Sequence, residues 1–327
     1  MKTTGRTKSV LLLTQQNDGH ADALIPELEA LHCPWIRLDP ASFPQQASLC
    51  AKLDDTGWKS TLTVGDTHIA FEDIGSVWYR RPGRYIADSS LPTMEQDFIA
   101  QEARYGVGGL LRSITGLWVN HPEENHRASY KPLQLQIARD CGLAVPRTLI
   151  TNDPDAFLRF YEECRGQVVY KLLGAPIFWD GDLPISTYTR RVLADMVQHA
   201  HRIKATAHLF QQYIEKQLEL RITMIGDEIF AAEIYAQHSE LARVDWRQQY
   251  ADLRYGIHQL PHAIRTSLLA LTRSFRLQYG AIDMIVTPAG EYVFLEINPN
   301  GQCGWIEQAT GMPLFRTLAS LLAGRCQ

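Results

Sequence analysis

Asp283-Met-Ile-Val-Thr-Pro-Ala-Gly-Glu-Tyr-Val-Phe-Leu-Glu296-Ile-Asn298-Pro-Asn-Gly-Gln302 is the stretch of sequence that decides the fold. It consists of two apolar runs joined by Pro288-Ala-Gly290, a pattern that predicts two paired strands with a turn between them. Successive side chains of a strand alternate faces, so Glu296 and Asn298 point the same way, and the paired strand can bring Asp283 to that face. Carboxylate and amide oxygens suit Mg²⁺, which takes few protein ligands and adds substrate phosphates. The stretch therefore predicts a metal site.

A polar strand end, exposed to solvent and capped by Asn298, is the alternative interpretation of the same residues. The neighbouring residues argue against it, because both acids lie among apolar side chains that we expect to be buried, and a charge beside a core needs a partner. Those neighbours are Ile282, Met284, Ile285, Phe294, Leu295 and Ile297.

Two lysines stand where they can meet a phosphate group. Lys171 ends the apolar run Val168-Val169-Tyr170, and Lys131 opens a predicted helix. A lysine at a strand end can contact phosphate oxygens as a point charge. Taken alone, each lysine is equally compatible with a surface position.

Glu219 and Arg221 share one face of a predicted strand, because they are two residues apart. The acid suits the hydroxyl groups of a ribose, and the guanidinium suits phosphate oxygens or charge that develops during phosphoryl transfer. The alternative is an exposed cross-strand salt bridge, which contributes only about 0 to 1 kcal/mol to stability.

Length and charge limit the classes of protein to consider. The chain has 327 residues, of which 32 are Lys or Arg and 36 are Asp or Glu, so the net charge is −4. This length predicts two or three domains. The slightly acidic balance and the lack of a long basic run argue against binding to nucleic acid or to an anionic membrane surface. No apolar run is long enough to span a membrane, and the six cysteines lack paired spacing. We expect a cytoplasmic protein without a disulfide framework.

The apolar pattern predicts an α/β protein whose C-terminal part is α+β. A strand–helix–strand pattern from Ser9 to Leu38, and a strand that ends at Arg80-Arg81-Pro82, indicate an N-terminal α/β domain. The turn-rich segment 174–184, which contains Phe178 and Trp179, predicts a loop over the site, and a helix is expected to begin near Arg190. The predicted domains are residues 1–120, 121–205 and 206–327.

In chain order, these elements resemble the ATP-grasp superfamily of carboxylate ligases over about residues 120–312. The matching residues are Lys131, Lys171, Gln211, Gln212, Tyr213, Ile214, Glu219, Arg221, Asp283, Glu296 and Asn298. The resemblance implies an ATP-grasp fold after an N-terminal pre-ATP-grasp α/β domain, with ATP and Mg²⁺ as cofactors. By the same resemblance, the two lysines hold ATP phosphates, residues 211–214 line the adenine, Glu219 binds the ribose, and Asp283, Glu296 and Asn298 hold the metal.

A narrower resemblance extends almost from end to end of the chain. It rests on five segments, which are Trp78-Tyr79-Arg80-Arg81-Pro82, Arg37-Leu-Asp-Pro-Ala-Ser-Phe-Pro44, Asp245-Trp-Arg247, Glu296-Ile-Asn-Pro-Asn-Gly-Gln302 and Trp305-Ile-Glu307. They look like graspetide synthetases, the microviridin-type maturases of ribosomally made peptides. The resemblance implies a ligase that activates core Asp or Glu side chains of a precursor peptide, made of leader and core, as acylphosphates. It then joins them to Ser or Thr hydroxyls as esters or to Lys amines as amides. Cys303 and Gln212 depart from the pattern.

The resemblance also suggests roles in catalysis. Arg221 and Lys171 would stabilise the phosphoryl transfer. Arg80 and Arg81, at a strand end where α/β sheets meet ligands, would hold acidic side chains of the precursor, with Asp245 and Arg247 as further candidates.

Two other functions stay open. The chain could be a glutamate-ligase-like enzyme that adds an amino acid to a protein or peptide, or a non-catalytic protein that binds ATP or peptide, although the intact metal triad argues against the latter. The oligomeric state is open, with a symmetric homodimer as the commonest arrangement.

Overall fold

The computed structural model describes residues 8–174, 177–180, 183–186, 188–236, 244–248 and 253–326. The chain divides into two compact units. The first comprises residues 1–125, 277–279 and 302–327, and the second comprises residues 126–276 and 280–301. Residues of the predicted segment 206–327 therefore contribute to both units.

The described chain contains both α-helices and strands, and several strands follow one another directly. The strands are β1 (Ser9–Thr14), β2 (Trp35–Leu38), β3 (Ala47–Asp54), β4 (Gly57–Val64), β5 (Thr67–Ala70), β6 (Ile74–Arg81), β7 (Leu117–Val119), β8 (Thr148–Thr151), β9 (Val168–Lys171), β10 (Ile177–Asp180), β11 (Leu183–Ser186), β12 (Arg190–Arg191), β13 (His208–Gln212), β14 (Leu218–Ile225), β15 (Glu228–Tyr235), β16 (Arg254–Ile257), β17 (Tyr279–Val286) and β18 (Tyr292–Asn298). The α-helices are α1 (Gly19–Ala30), α2 (Thr93–Arg112), α3 (Pro122–Ala128), α4 (Lys131–Asp140), α5 (Pro154–Glu163), α6 (Ala194–Val197), α7 (His262–Ser274), α8 (Gly304–Thr310) and α9 (Leu314–Ala323).

The first unit is built on a parallel sheet with the strand order β2-β1-β6-β7. The central strand β1 is apolar and buried, as expected for a parallel strand covered on both faces. Helix α9 belongs to this unit and buries Leu314, Leu318 and Leu322. The strands β3, β4 and β5 form a separate antiparallel sheet. The predicted N-terminal α/β fold is confirmed, with the C-terminal helix as part of it.

The second unit contains two larger sheets and a hairpin. One sheet has the order β12-β9-β13-β8, the other has the order β16-β15-β14-β17-β18, and β10 pairs with β11. Strand β14 is buried along its whole length, although it carries Glu219 and Arg221. It pairs antiparallel with β15, and the pairing of β17 with β18 agrees with the sequence prediction.

The structure modifies two sequence predictions about this unit. The helix expected near Arg190 begins four residues later, at Ala194, because Arg190 and Arg191 pair with Tyr170 and Val169 as a short edge strand. In the segment 174–184, residues 177–180 form β10 and residues 183–184 begin β11, where the sequence predicted a loop, while residues 175–176 and 181–182 lie outside the description. The role of this segment as a lid stays a prediction.

Within the described residues, no helix combines the length and the apolar character that crossing a membrane requires.

His20 joins α1 to the segment that precedes α8 within the first unit. Its Nε2 accepts hydrogen bonds from the backbone N–H groups of Cys303, at 3.1 Å, and Gly304, at 3.2 Å. A ring nitrogen accepts only when it carries no proton. Burial lowers the pKa of His20 to about 4, the charges of Arg80 and Arg81 act in the same direction, and Asp18 opposes them. His20 is therefore neutral at pH 7.

We expect the free energy of unfolding to fall as the pH is lowered from about 6.5 to about 4, because the unfolded chain protonates His20 first. His20→Gln, which retains an acceptor that does not titrate, should flatten this part of the profile. Urea unfolding at a series of pH values measures the effect, with exposed His68→Gln as the control. An unchanged slope in His20→Gln would contradict the assignment.

Candidate functional site

Strands β17 and β18 position the three predicted metal ligands. In their antiparallel register Asp283 lies opposite Glu296, and Ala281 lies opposite Asn298. Directly opposite residues of an antiparallel pair share a face, as do residues two apart on one strand. The structure therefore brings Asp283, Glu296 and Asn298 to one face of the sheet, as the alternation predicted.

Both acids of this set already have a cationic partner. Lys131 Nζ lies 2.9 Å from Glu296 Oε2, and Arg221 Nη1 lies 2.9 Å from Asp283 Oδ1. Burial acts to raise the pKa of Glu296, but Lys131, Lys171 and Arg247 outweigh it and hold that pKa well below its usual range. Glu296 is thus a carboxylate at neutral pH, the form that a metal requires.

The donor set fits Mg²⁺ by its chemistry, since it consists of two carboxylates and an amide oxygen. The described part of the chain contains no group of three or more His, Cys, Asp or Glu residues that could hold a metal.

Gln134 was missed by the sequence reasoning, and it holds the ligand strand in place. Its amide nitrogen donates to the carbonyl oxygens of Ala128, at 2.6 Å, and Ile297, at 2.9 Å. Its amide oxygen accepts from the backbone N–H of Ile297 at 3.0 Å. Ile297 lies between Glu296 and Asn298, and Gln134 stands one helical turn after Lys131 on α4. The first turn of α4 therefore supplies both a cation and a backbone clamp.

Gly301 has a steric reason to be glycine. A Cβ at this position would lie 2.3 Å from Ala281 Cβ and 2.8 Å from Arg221 Nη2, closer than real Cβ contacts. The end of the Asn298-Pro-Asn-Gly segment thus leaves room for the guanidinium that contacts Asp283.

Glu219, the predicted ribose acceptor, forms a buried ion pair with Lys216. Burial raises the pKa of Glu219 to about 6, although the nearby Lys216 ammonium opposes the shift. Lys216 was missed from the sequence. The sequence shows that Lys216 and Glu219 are three residues apart. It does not show that both side chains are buried, which is what makes their ion pair important.

Asp245 and Arg247 form a closed pair of their own. Arg247 Nε and Nη2 donate to the two carboxylate oxygens of Asp245 at 2.8 and 2.7 Å, and the backbone N–H of Thr189 donates to Asp245 Oδ2 at 3.0 Å. Burial acts to lower the pKa of Arg247, but the hydrogen bonds and charge of Asp245 raise it further than burial lowers it. Arg247 therefore stays charged, and Asp245 orients it.

Lys171 is the cation of this region that stays unpaired. Within the described residues it forms no ion pair shorter than 4.0 Å, whereas Lys131, Lys216, Arg221 and Arg247 each contact a carboxylate. Burial lowers the pKa of Lys171, the charges of Lys131 and Arg247 add to this, and Glu296 and Asp283 oppose it. Lys171 is half-buried, and a partly desolvated ammonium without an acid partner is stabilised by an anion that binds beside it.

Two adjoining clefts of the second unit meet at Lys171. Both clefts are open to solvent and have walls that mix polar and apolar side chains. The first is lined by most of the predicted nucleotide residues, which are Lys171, Gln211, Gln212, Tyr213, Ile214 and Glu219, and by Asp283 and Glu296. The second is lined by Lys131, Gln134, Asn298 and others. The walls of both clefts include Lys171, Thr189, Arg247 and Glu296.

The predicted adenine segment connects the two large sheets, because β13 ends at Gln212 and β14 begins at Leu218. Gln211 donates to Thr148 Oγ1 at 3.0 Å. The guanidinium of Arg191 lies over the Tyr213 ring, 4.0 Å from its centroid. The apolar part of the cleft wall is completed by Pro146, Val169, Trp246, Ile285 and Leu295. Such a mixed apolar and polar wall suits a flat heteroaromatic base.

Arg80 and Arg81 belong to the first unit, and the structure places them differently. The side chain of Arg80 is only 2% exposed, and its Nε lies 3.7 Å from Asp18 Oδ2. Burial lowers the pKa of Arg80, Arg81 adds to the effect, and Asp18 opposes it. The Arg80 side chain is therefore almost completely buried, and its role toward a peptide stays a prediction. Arg81 is exposed.

Comparison with known proteins was made on both sequence and structure. Residues 9–126 match the family described as the MvdD pre-ATP grasp domain. No protein with a curated description matches the sequence.

Several solved structures resemble the whole chain. A RiPP-associated ATP-grasp ligase from Chryseobacterium gregarium, in complex with ADP and a leader and core peptide, is 30% identical, with 97% of each chain covered and a TM-score of 0.89. The macrocyclase MdnC from Microcystis aeruginosa MRC, bound with precursor peptide MdnA, is 30% identical over 97% of this chain and 99% of that chain, with a TM-score of 0.85. The macrocyclase MdnB from the same source is 30% identical over 96% and 99%, with a TM-score of 0.79.

Fold and comparisons together define the class of protein. The chain has an ATP-grasp fold preceded by a pre-ATP-grasp α/β domain, as the sequence predicted. It belongs to the family of RiPP-associated ATP-grasp ligases and macrocyclases, the graspetide synthetases.

Gln134→Leu should lower the free energy of unfolding by about 2 kcal/mol or more, because the buried N–H and C=O groups of Ile297 lose their partner. ADP formation should slow as well, since Glu296 and Asn298 flank the released residue. Urea unfolding and ADP release measure the two effects. Gln136→Leu, on an exposed position of the same helix, is the matched control. Equal stability of the two variants would exclude the clamp.

Proposed function

We propose that this chain activates Asp or Glu side chains of a ribosomally made precursor peptide with ATP and cross-links them to Ser or Thr hydroxyls or to Lys amines. The observation that carries the proposal is the Lys171 ammonium at the wall that two clefts share, which has no ion-pair partner among the residues that the structure describes. One cleft offers a nucleotide site, and the other gives a second substrate access to the same wall. The Chryseobacterium ligase was solved with ADP, leader and core peptide, and MdnC with its precursor, which supports these two occupants.

In this proposal residues 211–214 bind the adenine and Glu219 the ribose, while Lys171 and Lys131 bind phosphate oxygens. Asp283, Glu296 and Asn298 would hold Mg²⁺, which supplies neutralisation of the phosphate charge when bound. The cations Lys131 and Arg221 now neutralise the same two carboxylates. Their ammonium and guanidinium groups are thus already next to the place where phosphate oxygens would lie.

The chemistry proceeds by two displacements. A carboxylate oxygen of the peptide attacks the γ-phosphorus of ATP, the bond to the β–γ bridging oxygen breaks, and ADP leaves from an acylphosphate. A hydroxyl or amine of the same peptide then attacks the acyl carbon, loses its proton, and inorganic phosphate leaves with the electrons of the broken C–O bond. Lys171 and Arg221 stabilise the charge that develops on the transferred group. Arg247, held by Asp245 at the shared wall, orients the acid.

Glu296→Gln should abolish the ATP-dependent loss of water from the precursor, because it removes a carboxylate that pairs with Lys131 and faces the phosphate side. The substrate to test is any short peptide encoded beside the gene that carries Ser, Thr or Lys together with Asp or Glu near its C-terminus, and mass spectrometry counts one water lost for each bond. Glu291→Gln, which replaces an exposed glutamate just before β18, is the matched control. Full cross-linking by Glu296→Gln would refute the site assignment.

The same experiment separates the competing functions. A glutamate-ligase-like enzyme would add the mass of a residue rather than remove water, and a binding protein would release no ADP. Mild alkali distinguishes the two bond types, because it hydrolyses an ester cross-link and leaves an amide intact.

A further inference from the structure

The first unit contains a large groove that the proposed chemistry does not use. It has a cavity volume of about 580 Å³ and lies near the carboxyl ends of three parallel strands, to which Leu13, Tyr79 and Trp118 belong. Parallel α/β sheets bind their ligands at this edge. The opposite wall is the flank of helix α2, from Ala100 to Arg112. We call this feature the arginine groove.

The charged side chains that line the arginine groove are all positive. Arg84, Arg104 and Arg112 line the groove, and no Asp or Glu is among the residues that line it. Within the described residues Arg84 and Arg104 form no ion pair, while Arg112 is shared between Glu123 Oε1, at 3.0 Å, and the carbonyl oxygen of Gly108, at 2.9 Å. The groove therefore holds at least two guanidinium groups available to an anion, although the chain as a whole has a net charge of −4.

Its shape suits an extended chain. The 12-residue step from Ala100 to Arg112 corresponds to about 18 Å of helix, the length of about five or six extended residues. Arg104 and Arg112 are eight residues apart on this wall, so their Cα atoms are separated by about 12 Å along the axis. Gly108 lies between them and has no side chain that would take up space in the groove. A Cβ at this position would lie 3.0 Å from Arg112 Nη1 and 3.6 Å from Tyr85 Oη.

We propose that the arginine groove binds an acidic segment of the peptide substrate, with carboxylates paired to Arg84 and Arg104 and apolar side chains against Tyr79, Tyr85 and Trp118. This inference rests on the proposed function, because that function requires a peptide rich in Asp or Glu. Guanidinium groups pair with carboxylates in a two-pronged geometry, and Arg is the residue best suited to this recognition.

A nucleotide is a poorer fit to the groove. Phosphates are commonly bound by backbone N–H groups of a glycine-rich turn or a helix N-terminus. Helix α2 begins at Thr93, well before the part that lines the groove. The backbone N–H of Gly83 already donates to Asp39 Oδ1 at 2.9 Å. Spaced guanidinium groups along a helix flank correspond instead to carboxylates spaced along a peptide.

The experiment is fluorescence anisotropy with a labelled hexaglutamate peptide, and with hexaglutamine as the uncharged comparison. The full chain is kept in a non-hydrolysable ATP analogue and Mg²⁺, so that the clefts of the second unit are occupied. The charge variant is Arg84→Gln with Arg104→Gln. The blocking variant is Ala100→Trp, at a half-buried position of the wall. The matched control is Arg316→Gln with Arg325→Gln, which removes two exposed charges of the same unit outside the groove.

We expect hexaglutamate to bind and hexaglutamine not to bind. Affinity should fall at least about tenfold in both groove variants and stay at the wild-type value in the control. Binding that survives both groove variants would overturn the proposal. So would an equal loss in the control pair, or displacement of the peptide by ATP alone from wild-type chain. Circular dichroism shows whether each variant is folded.

A readout that does not depend on turnover separates this proposal from the proposed function. If wild-type chain fails to cross-link its precursor, the groove is still judged by the anisotropy of its own variants. If cross-linking is intact but the charge variant binds normally, the groove proposal alone is lost.

Discussion

The antiparallel register of β17 on β18 is the constraint on which the chemistry of the second unit depends. A slip of one residue would turn Glu296 and Asn298 to the opposite face and separate them from Asp283. Apolar burial opposes such a slip, since Ile282, Phe294 and Ile297 are almost completely buried. Gln134 adds a specific restraint, because its amide pairs with both backbone groups of Ile297. The oxygen ligands are thus positioned by a core and a clamp rather than by their own contacts.

Charge in this region is arranged in pairs before any ligand arrives. Lys131 with Glu296, Arg221 with Asp283, and Lys216 with Glu219 each satisfy groups that burial would otherwise penalise. Lys171 is the exception, and it lies where the two clefts meet. Such a site can stay folded when empty and still present one uncompensated cation to an incoming phosphate. The net charge of −4 does not reveal this arrangement, because paired positive and negative charges cancel in the sum over the chain.

Alternation along strands was enough to predict the metal-ligand face and the shared face of Glu219 and Arg221. It could not reveal the role of Gln134. A glutamine on a predicted helix is expected at the surface, and only the structure shows the backbone groups that it contacts. Arg80 shows the same limit for a residue that the sequence did single out. A strand-end arginine suggests a ligand, and only the fold shows that it is buried beside Asp18. The helix expected near Arg190 begins only at Ala194, because the two arginines before it pair with β9, a tertiary contact that overrides local preference. The strands β3 and β16 were also missed. The residues of β3 do alternate, with Ala47, Leu49, Ala51 and Leu53 on one face, so this strand could have been predicted from the sequence, whereas the four residues of β16 carry no such pattern.

The placement of α9 in the first unit has a consequence for synthesis. The ribosome makes β1 and β6 early, but Leu314, Leu318 and Leu322, which this unit buries, are made only about 230 residues after β6 ends. Until they emerge, the apolar surface that they cover stays open to solvent or to a chaperone. The second unit contains no residue beyond 301 and can close sooner. The N-terminal sheet, begun first on the ribosome, is therefore the part of the enzyme that is completed last.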